Sequence, residues 1–345
     1  MYNSHKLEYI NCDLCDSDKF TSLFHNYDRL YCTKGIFNIV KCDNCGLVYL
    51  NPRPKREFIY EYYPDDYEPY NISLNDFYQK LNESLLNSYY KENKTLLDNL
   101  KSSLSKLIYS PIPKEHKGSI LDIGCGNGIY IYNLEKHGWD VHGIEISKKA
   151  VAFAQEKFGL KNVRQGTIED IKYPDEYFDV ITMNHVIEHL LSPKKTLGEI
   201  NRILKKEGLL IISTPNINSF NAKIFREYWF PLETPRHLNL FQFSSMNKLL
   251  EYTGFICTKR AYDINPNYLI RSINYRLNLN HNLLEKINLL RLLKIRDTPF
   301  PTHKMYPLNI ETSVVLLPFA IILAILQTSD VMTFYIRKNE RQQTS

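Results

Sequence analysis

The segment Leu121-Asp122-Ile123-Gly124-Cys125-Gly126-Asn127-Gly128 limits the fold more than any other part of the 345-residue chain. An apolar strand runs straight into a glycine-rich turn, and the pattern of Ile129 to His137 predicts a helix directly after it. Glycines suit such a turn because the backbone must reverse sharply and let a ligand approach with no Cβ in the way. Glu145 closes the next apolar run, Val141 to Glu145, and lies 21 residues beyond Gly124. A carboxylate there can accept both ribose hydroxyls of a nucleoside cofactor. A glycine turn alone says little. Strand, turn, helix and terminal acid together predict a parallel α/β sheet that binds a nucleoside.

The remaining apolar runs extend that sheet. Ser119–Ile123, Val141–Glu145, Phe178–Met183 and Leu209–Ser213 alternate with amphipathic stretches between residues 117 and 265, and Val331–Ile336 reads as a last strand. Four regions follow: 1–55 with paired cysteines, 56–116 as a helical linker or lid, 117–265 with 331–345 as the core, and 266–330 as a helical, apolar insertion. In the second region Leu81, Leu85, Leu86, Leu96, Leu97 and Leu100 recur at roughly helical spacing, and Pro111 and Pro113 end the stretch. Net charge is only +5, too weak to imply DNA binding unless clustered. Met1–Ile10 has no apolar run of the secretory type, so a cytoplasmic protein is expected.

Cys12-x-x-Cys15 and Cys42-x-x-Cys45 are separated by 26 residues, and Gly46 follows the second pair. Two such pairs suit a four-thiolate structural Zn2+ site that stabilises a module too small to bury its own core. Loss of Cys42 is then expected to unfold that module and leave cofactor binding in place. A redox role competes, but no thioredoxin-like βαβ pattern surrounds either pair. Cys32 is the spare thiol, expected within the packing.

Two cofactor classes share the glycine-loop geometry. A dehydrogenase loop is G-x-G-x-x-G; here the spacing is G-x-G-x-G, with Asp122 just before it. S-adenosylmethionine lacks a pyrophosphate but has an amino acid tail, which an acid and backbone groups can hold. At these residues the chain resembles the class I S-adenosylmethionine-dependent methyltransferases, whose first motif reads (V/L)(L/V)D(I/V)GCGxG. Gly166-Thr167-Ile168-Glu169-Asp170, Phe178-Asp179-Val180-Ile181 and Leu204-Lys205-Lys206-Glu207-Gly208-Leu209-Leu210 extend the resemblance. It implies a Rossmann-like seven-stranded sheet, mainly parallel with the last strand reversed, preceded by the zinc-binding module and carrying a helical insertion before that last strand. It implies a cofactor site at Asp122, Gly124, Cys125, Gly126, Gly128, Glu145, Ile146 and Asn184, with Thr167 and Ile168 beside the adenine. The front Cys-x-x-Cys-Gly-Leu-Val-Tyr-x-Asn-Pro-Arg-Pro is similar to that of bacterial methyltransferases linked with surface-glycan or secondary-metabolite pathways.

After the fourth strand comes Asn184-His185-Val186-Ile187-Glu188-His189, where a helix would put His185, Glu188 and His189 on one face. The spelling H-x-x-E-H also fits an inverted zinc-peptidase motif. It falls where a methyltransferase presents its catalytic edge, and no second peptidase element is visible. The position resembles E-x-x-E-H of the ubiquinone-pathway O-methyltransferases and the small-RNA 2′-O-methyltransferases, in which a divalent cation sits near the acceptor hydroxyls. Thr234-Pro235-Arg236-His237 supplies a further histidine where those RNA enzymes place a ligand. Three readings stay open for His185, Glu188, His189 and His237: a general base, a second divalent cation at the acceptor, or residues that only shape the pocket. The fourth strand is not followed by N/D-P-P-Y/F, and no Pro-Cys pair stands at a strand end. Methylation of a hydroxyl on a small molecule or glycan is therefore the leading expectation. RNA 2′-O-methylation and a catalytically silent scaffold are the alternatives.

Val314–Leu326 carries no charge but is shorter than the roughly 20 residues a membrane span needs. Upstream, Leu283–Arg296 is apolar on one side and basic on the other. Either 283–326 touches the inner face of a membrane peripherally, or both stretches pack over the acceptor pocket.

Overall fold

The computed structural model describes residues 4–64, 84–99, 101–102, 113, 117–277 and 310–339. Leu81, Leu100, Pro111 and the basic stretch 283–296 lie outside the described residues.

Thirteen strands are described. The N-terminal region gives β1 (Leu7–Glu8), β2 (Phe20–Asn26), β3 (Phe37–Cys42), β4 (Val48–Leu50) and β5 (Arg53–Pro54). The central region gives β6 (Ser119–Ile123), β7 (Asp140–Glu145), β8 (Val163–Gln165), β9 (Phe178–Asn184), β10 (Leu204–Pro215), β11 (Asn239–Leu240), β12 (Phe255–Tyr262) and β13 (Val331–Lys338). The main sheet has the order β12-β13-β10-β9-β6-β7-β8. Pairing is parallel from β10 through β8, whereas β13 runs antiparallel to both β10 and β12. This is the expected Rossmann-like methyltransferase sheet with its last strand reversed. Leu121, Ile181, Leu210, Ile211 and Ile212 are fully buried because helices cover both faces of the parallel strands, and their near-continuous apolar runs reflect that.

Local chemistry sets the helices. Ser147 Oγ accepts the Ala150 N–H at 3.3 Å and starts helix Lys148–Phe158, which Gly159 ends in the left-handed region at φ 72°. Pro193 occupies the first turn of Pro193–Ile203, where its missing N–H costs nothing. Gly128 opens Ile129–Glu135 at φ 80°, and a Cβ there would come within 2.9 Å of the Ala154 Cβ, so the loop needs glycine for close helix packing. In the linker region Leu85 and Leu86 are buried, but Leu96 and Leu97 face solvent, so the leucine periodicity does not mark one buried face.

Packing is continuous across residue 55. A four-stranded sheet, β11-β4-β3-β2, joins the N-terminal strands to β11, with Asn239 opposite Tyr49 and Leu240 opposite Val48. Cys12, Leu14, Cys42, Cys45 and Leu47 share one apolar cluster with Leu121, Met183, Leu197, Met246 and Leu250. Lys248 Nζ donates to the Cys45 carbonyl at 3.3 Å, and Ser192 Oγ donates to Asp13 at 2.9 Å. Short cysteine-bearing segments cannot enclose a core alone, and these are enclosed by the larger sheet's helices. Cys32 is exposed, contrary to the packed position expected of it, on a backbone with φ 55°.

Candidate active site

The C-terminal ends of β6, β7 and β9 open into one cavity of about 620 Å³, a size ordinary for cofactor and substrate pockets. Gly124, Gly126, Glu145, Ile146, Thr167, Ile168 and Asn184 line one part of it. Its other part is lined by His185, His189, His237, Glu233 and the aromatic residues Tyr31, Tyr60, Tyr63, Phe230 and Tyr268. A strand-end location is where open α/β sheets bind ligands, because the loops diverge there.

Glu145 is buried, and its carboxylate already accepts two backbone N–H groups, from Gly126 at 3.0 Å and Ser147 at 2.8 Å. Burial raises its pKa, and these N–H donors work against that rise. Each oxygen keeps a lone pair for a ribose hydroxyl. Gly124 has φ 71°, and a Cβ there would collide with Val186. Asn184 Oδ1 is buried on the cavity wall without a hydrogen-bond donor among the described residues, and thus suits a ligand N–H. These groups fit a nucleoside with an amino acid tail.

Three of the expected cofactor residues stand behind the wall rather than on it. Asp122 is buried under the loop, where its Oδ1 accepts the Thr182 hydroxyl at 2.6 Å, and burial pushes its pKa up to about 7. Cys125 packs in the apolar cluster with Ile131 and Val141. Gly128 caps the following helix. All three shape the turn from beneath and leave cavity contacts to Gly124 and Gly126.

His185, Glu188 and His189 do not share an α-helix. His185 sits at the end of β9 with φ 52°, held by its N–H to the Ser213 carbonyl at 2.9 Å, and Ile187–His189 is a single 3-10 turn. A left-handed non-glycine backbone is costly, and its place at a cavity wall is where such strain is commonly kept. The left-handed kink still brings the His185 Nδ1 to 3.3 Å from Glu188 Oε1. Glu188 is fully buried, with Oε2 accepting the Thr214 hydroxyl at 2.9 Å. Burial alone would raise the Glu188 pKa, but His185 and the neighbouring imidazoles lower it to about 2, so the group is a carboxylate.

The two remaining histidines are oriented by carbonyls. His189 Nδ1 lies 3.1 Å from the Arg236 carbonyl and 2.9 Å from the Tyr63 hydroxyl; His237 Nδ1 lies 2.7 Å from the Pro231 carbonyl. A carbonyl only accepts, so each Nδ1 bears the proton and each Nε2 keeps its lone pair. Their rings meet edge to face at 4.5 Å. One ligand atom each from Glu188, His189 and His237 lies within 4.8 Å of the others, a two-histidine, one-carboxylate donor set. Burial, with the neighbouring His237 ring adding to it, lowers the His189 pKa to about 4. Burial also works against charge on His185, but the adjoining Glu188 raises its pKa overall.

Spacing alone pointed to the histidines but not to the groups that hold them. Arg236 is fully buried and bidentate to Asp28 at 2.8 and 2.9 Å, with its Nε to Glu233 at 3.0 Å and Nη1 to the Tyr62 carbonyl at 3.1 Å. Residues 28 and 62 therefore anchor the loop that carries His237. The one signal present was Glu233 four residues before His237, with Arg236 between them.

The four cysteine thiols converge. Cys12 and Cys45 Sγ atoms are 3.5 Å apart, as are those of Cys15 and Cys42, and all four lie within 4.8 Å of one another. No disulfide joins them. Four sulfurs about 3.8 Å apart are what a tetrahedral ion with bonds of roughly 2.3 Å requires, so the set fits Zn2+.

A reversed-last-strand sheet with a glycine turn and terminal acid defines a class of nucleoside-cofactor transferase. Residues 92–259 match the family model described as "Methyltransferase domain". The chain is 29% identical over 173 residues to a ubiquinone biosynthesis O-methyltransferase of Cereibacter sphaeroides, covering 48% of this chain and 65% of that protein. It is 36% identical over 104 residues to an uncharacterised methyltransferase of Bacillus subtilis, covering 28% and 40%. The chain thus spans less than two thirds of the length of these relatives. Among solved structures, an S-adenosylmethionine-dependent methyltransferase of Archaeoglobus fulgidus aligns with a TM-score of 0.42 at 20% identity, over 74% of this chain and 98% of that one.

Proposed function

We propose that the protein transfers the methyl group of S-adenosylmethionine to a hydroxyl of a small-molecule or glycan acceptor. The observation that carries this reading is the single cavity, with Glu145 and the glycine turn in one part and His189 and His237 in the other, Glu188 standing within ligand distance behind them. The methyltransferase-domain match supports the cofactor, and the similarity to ubiquinone biosynthesis O-methyltransferases supports oxygen as the atom methylated. Glu145 holds the ribose, Ile146, Thr167 and Ile168 flank the adenine, and Asn184 Oδ1 receives the tail's ammonium. The sulfonium already activates the methyl group, so the chain's work is alignment, exclusion of water and handling of the hydroxyl proton.

Two features favour a cation over a general base at that hydroxyl. His189, with a pKa near 4, is a weak base at neutral pH, and His185 is held toward its charged form. Glu188, His189 and His237 each bring a ligand atom within 4.8 Å of the others, close enough to share one ion. A divalent cation held by Glu188, His189 and His237 would supply Lewis acidity that lowers the hydroxyl pKa.

Labelled cofactor incubated with purified protein and fractionated cell extract tests the reaction. Label in an ether-linked methyl group is expected, and label on nitrogen or none at all would overturn the reading. The His237→Ala variant should bind one fewer equivalent of Mn2+ than wild type in equilibrium dialysis, with the cysteine-bound zinc counted separately. Equal stoichiometry would remove the cation and leave the hydroxyl to a base. For the cofactor, Glu145→Ala should weaken binding of S-adenosylhomocysteine by roughly 1.5–3 kcal/mol, the worth of a charge-assisted hydrogen bond. Unchanged calorimetric affinity would take the ribose away from Glu145.

A further inference from the structure

From Val315 onward, helix Ile310–Ile325 is apolar on the side that faces water as well as on the side that faces protein. Ala320 and Leu323 point inward and are buried, whereas Val315 is 75% exposed, Ile322 51% and Ile325 73%. No residue from Val314 to Leu326 is charged. A water-facing helix ordinarily turns polar residues outward, and an all-round apolar one belongs in a protein core or against lipid. Beside it lies the short helix Phe220–Phe225. The rings of Phe220 and Phe319 meet at 5.8 Å, and the Phe220 N–H donates to the Thr328 carbonyl at 2.9 Å. Phe220 and Ile224 are exposed as well, so the two helices present a shared apolar surface.

The border of that surface is basic. Lys223 and Arg226 are exposed next to Ile224, and Arg276 lies over the Tyr228 ring at 5.1 Å. None of the three forms an ion pair with a carboxylate among the described residues, and Glu227 is the one acid between residues 220 and 229. We propose that this face docks on a membrane surface containing anionic lipid, with Val315, Ile322 and Ile325 in the interfacial layer and Lys223, Arg226 and Arg276 at the headgroups. Charge complementarity selects that occupant over a second copy of the chain, whose identical basic border would face its own. The helix lies in the interface rather than crossing it. The described part of the helix is 16 residues, about 24 Å long, and no helix among the described residues is long and apolar enough to cross a membrane. Helix Asn267–Arg276, which gives Tyr268 and Arg271 to the cavity, packs against Phe220–Phe225, so the docked face neighbours the histidine end of the cavity.

Flotation of the full-length protein tests this. It should rise with vesicles of phosphatidylcholine mixed with phosphatidylglycerol, much less with phosphatidylcholine alone, and less again at high salt. Val315→Asp with Ile322→Asp should reduce the bound fraction at least about tenfold, since two large apolar side chains no longer bury. Lys223→Glu with Arg226→Glu should remove the preference for the anionic lipid. Both variants should keep the wild-type affinity for S-adenosylhomocysteine, which shows that they fold. No flotation with either vesicle would overturn the proposal. So would a wild-type dimer that Val315→Asp with Ile322→Asp converts to monomer, which would assign the face to self-association.

Discussion

Cys42→Ser is expected to destabilise the methyltransferase sheet together with the N-terminal segment, and to weaken cofactor binding. Structural zinc contributes on the order of 10–16 kcal/mol in small finger peptides, comparable to the roughly 5–15 kcal/mol that holds a whole domain together. That energy cannot be confined to residues before 55 here, because Cys12, Cys42 and Cys45 share an apolar cluster with Leu121, Met183 and Met246. β4 also pairs with β11, and Arg53 Nη1 donates to the Leu191 carbonyl at 2.6 Å, beside the cavity. A separable module would have left cofactor binding untouched, as its length alone suggests. The check is a thermal melt of wild type and Cys42→Ser with metal content measured, followed by titration with S-adenosylhomocysteine. An N-terminal unfolding step that leaves cofactor affinity and the main melting transition unchanged would show that the packing does not couple them.

Asp28→Ala should cost about 3–5 kcal/mol in urea denaturation, the usual penalty for leaving one member of a buried ion pair alone. Asp28 and Arg236 are both fully inaccessible, and Asp28 also accepts backbone N–H groups from Leu30 and Tyr31 at 3.1 Å and the Thr33 hydroxyl at 2.6 Å. Burial by itself would raise the Asp28 pKa, but Arg236 outweighs it and the net shift is downward. A carboxylate whose folded pKa lies below its unfolded value stabilises the protein above the unfolded value, near 3.8, and that contribution is lost as pH falls through the folded one. The wild-type protein should therefore lose stability below about pH 4 more steeply than Asp28→Asn. A parallel acid profile in the two proteins would mean the pair contributes nothing net. The same substitution should disturb the proposed cation site at His237, because Arg236 precedes it and supplies the carbonyl that orients His189.

The sheet was legible because its evidence is local and periodic. The apolar run of β6 matches residue for residue, and the glycine turn and Glu145 need only short spans to be read. β8 has three residues, two of them exposed, and β11 only two, too short for alternation to register. The cysteine set was legible from spacing. The helix drawn through His185, Glu188 and His189 was not realised, because spacing carries no information about the left-handed backbone at His185. Asp28 and Tyr63 escaped for a different reason. Their partners are distant in sequence: Asp28 meets Arg236 208 residues away, and Tyr63 meets His189 126 residues away. A single sequence displays periodicity and motif, but not which buried carboxylate answers which guanidinium.

The position of β13 has a consequence for biosynthesis. It lies inside the sheet, between β10 and β12, although it comes last of the thirteen strands in chain order. β10 and β12 therefore leave the ribosome with unpaired edges facing each other and stay so until residue 338 has emerged. The N-terminal strands likewise wait for β11 nearly 190 residues later in the chain. Loop closure over such separations is slow, and an open apolar edge is a template for pairing with another nascent chain. A cell making this protein must therefore protect a nearly complete but unlatched sheet during translation. Pausing or truncation before β13 should yield an aggregate instead of a smaller working enzyme.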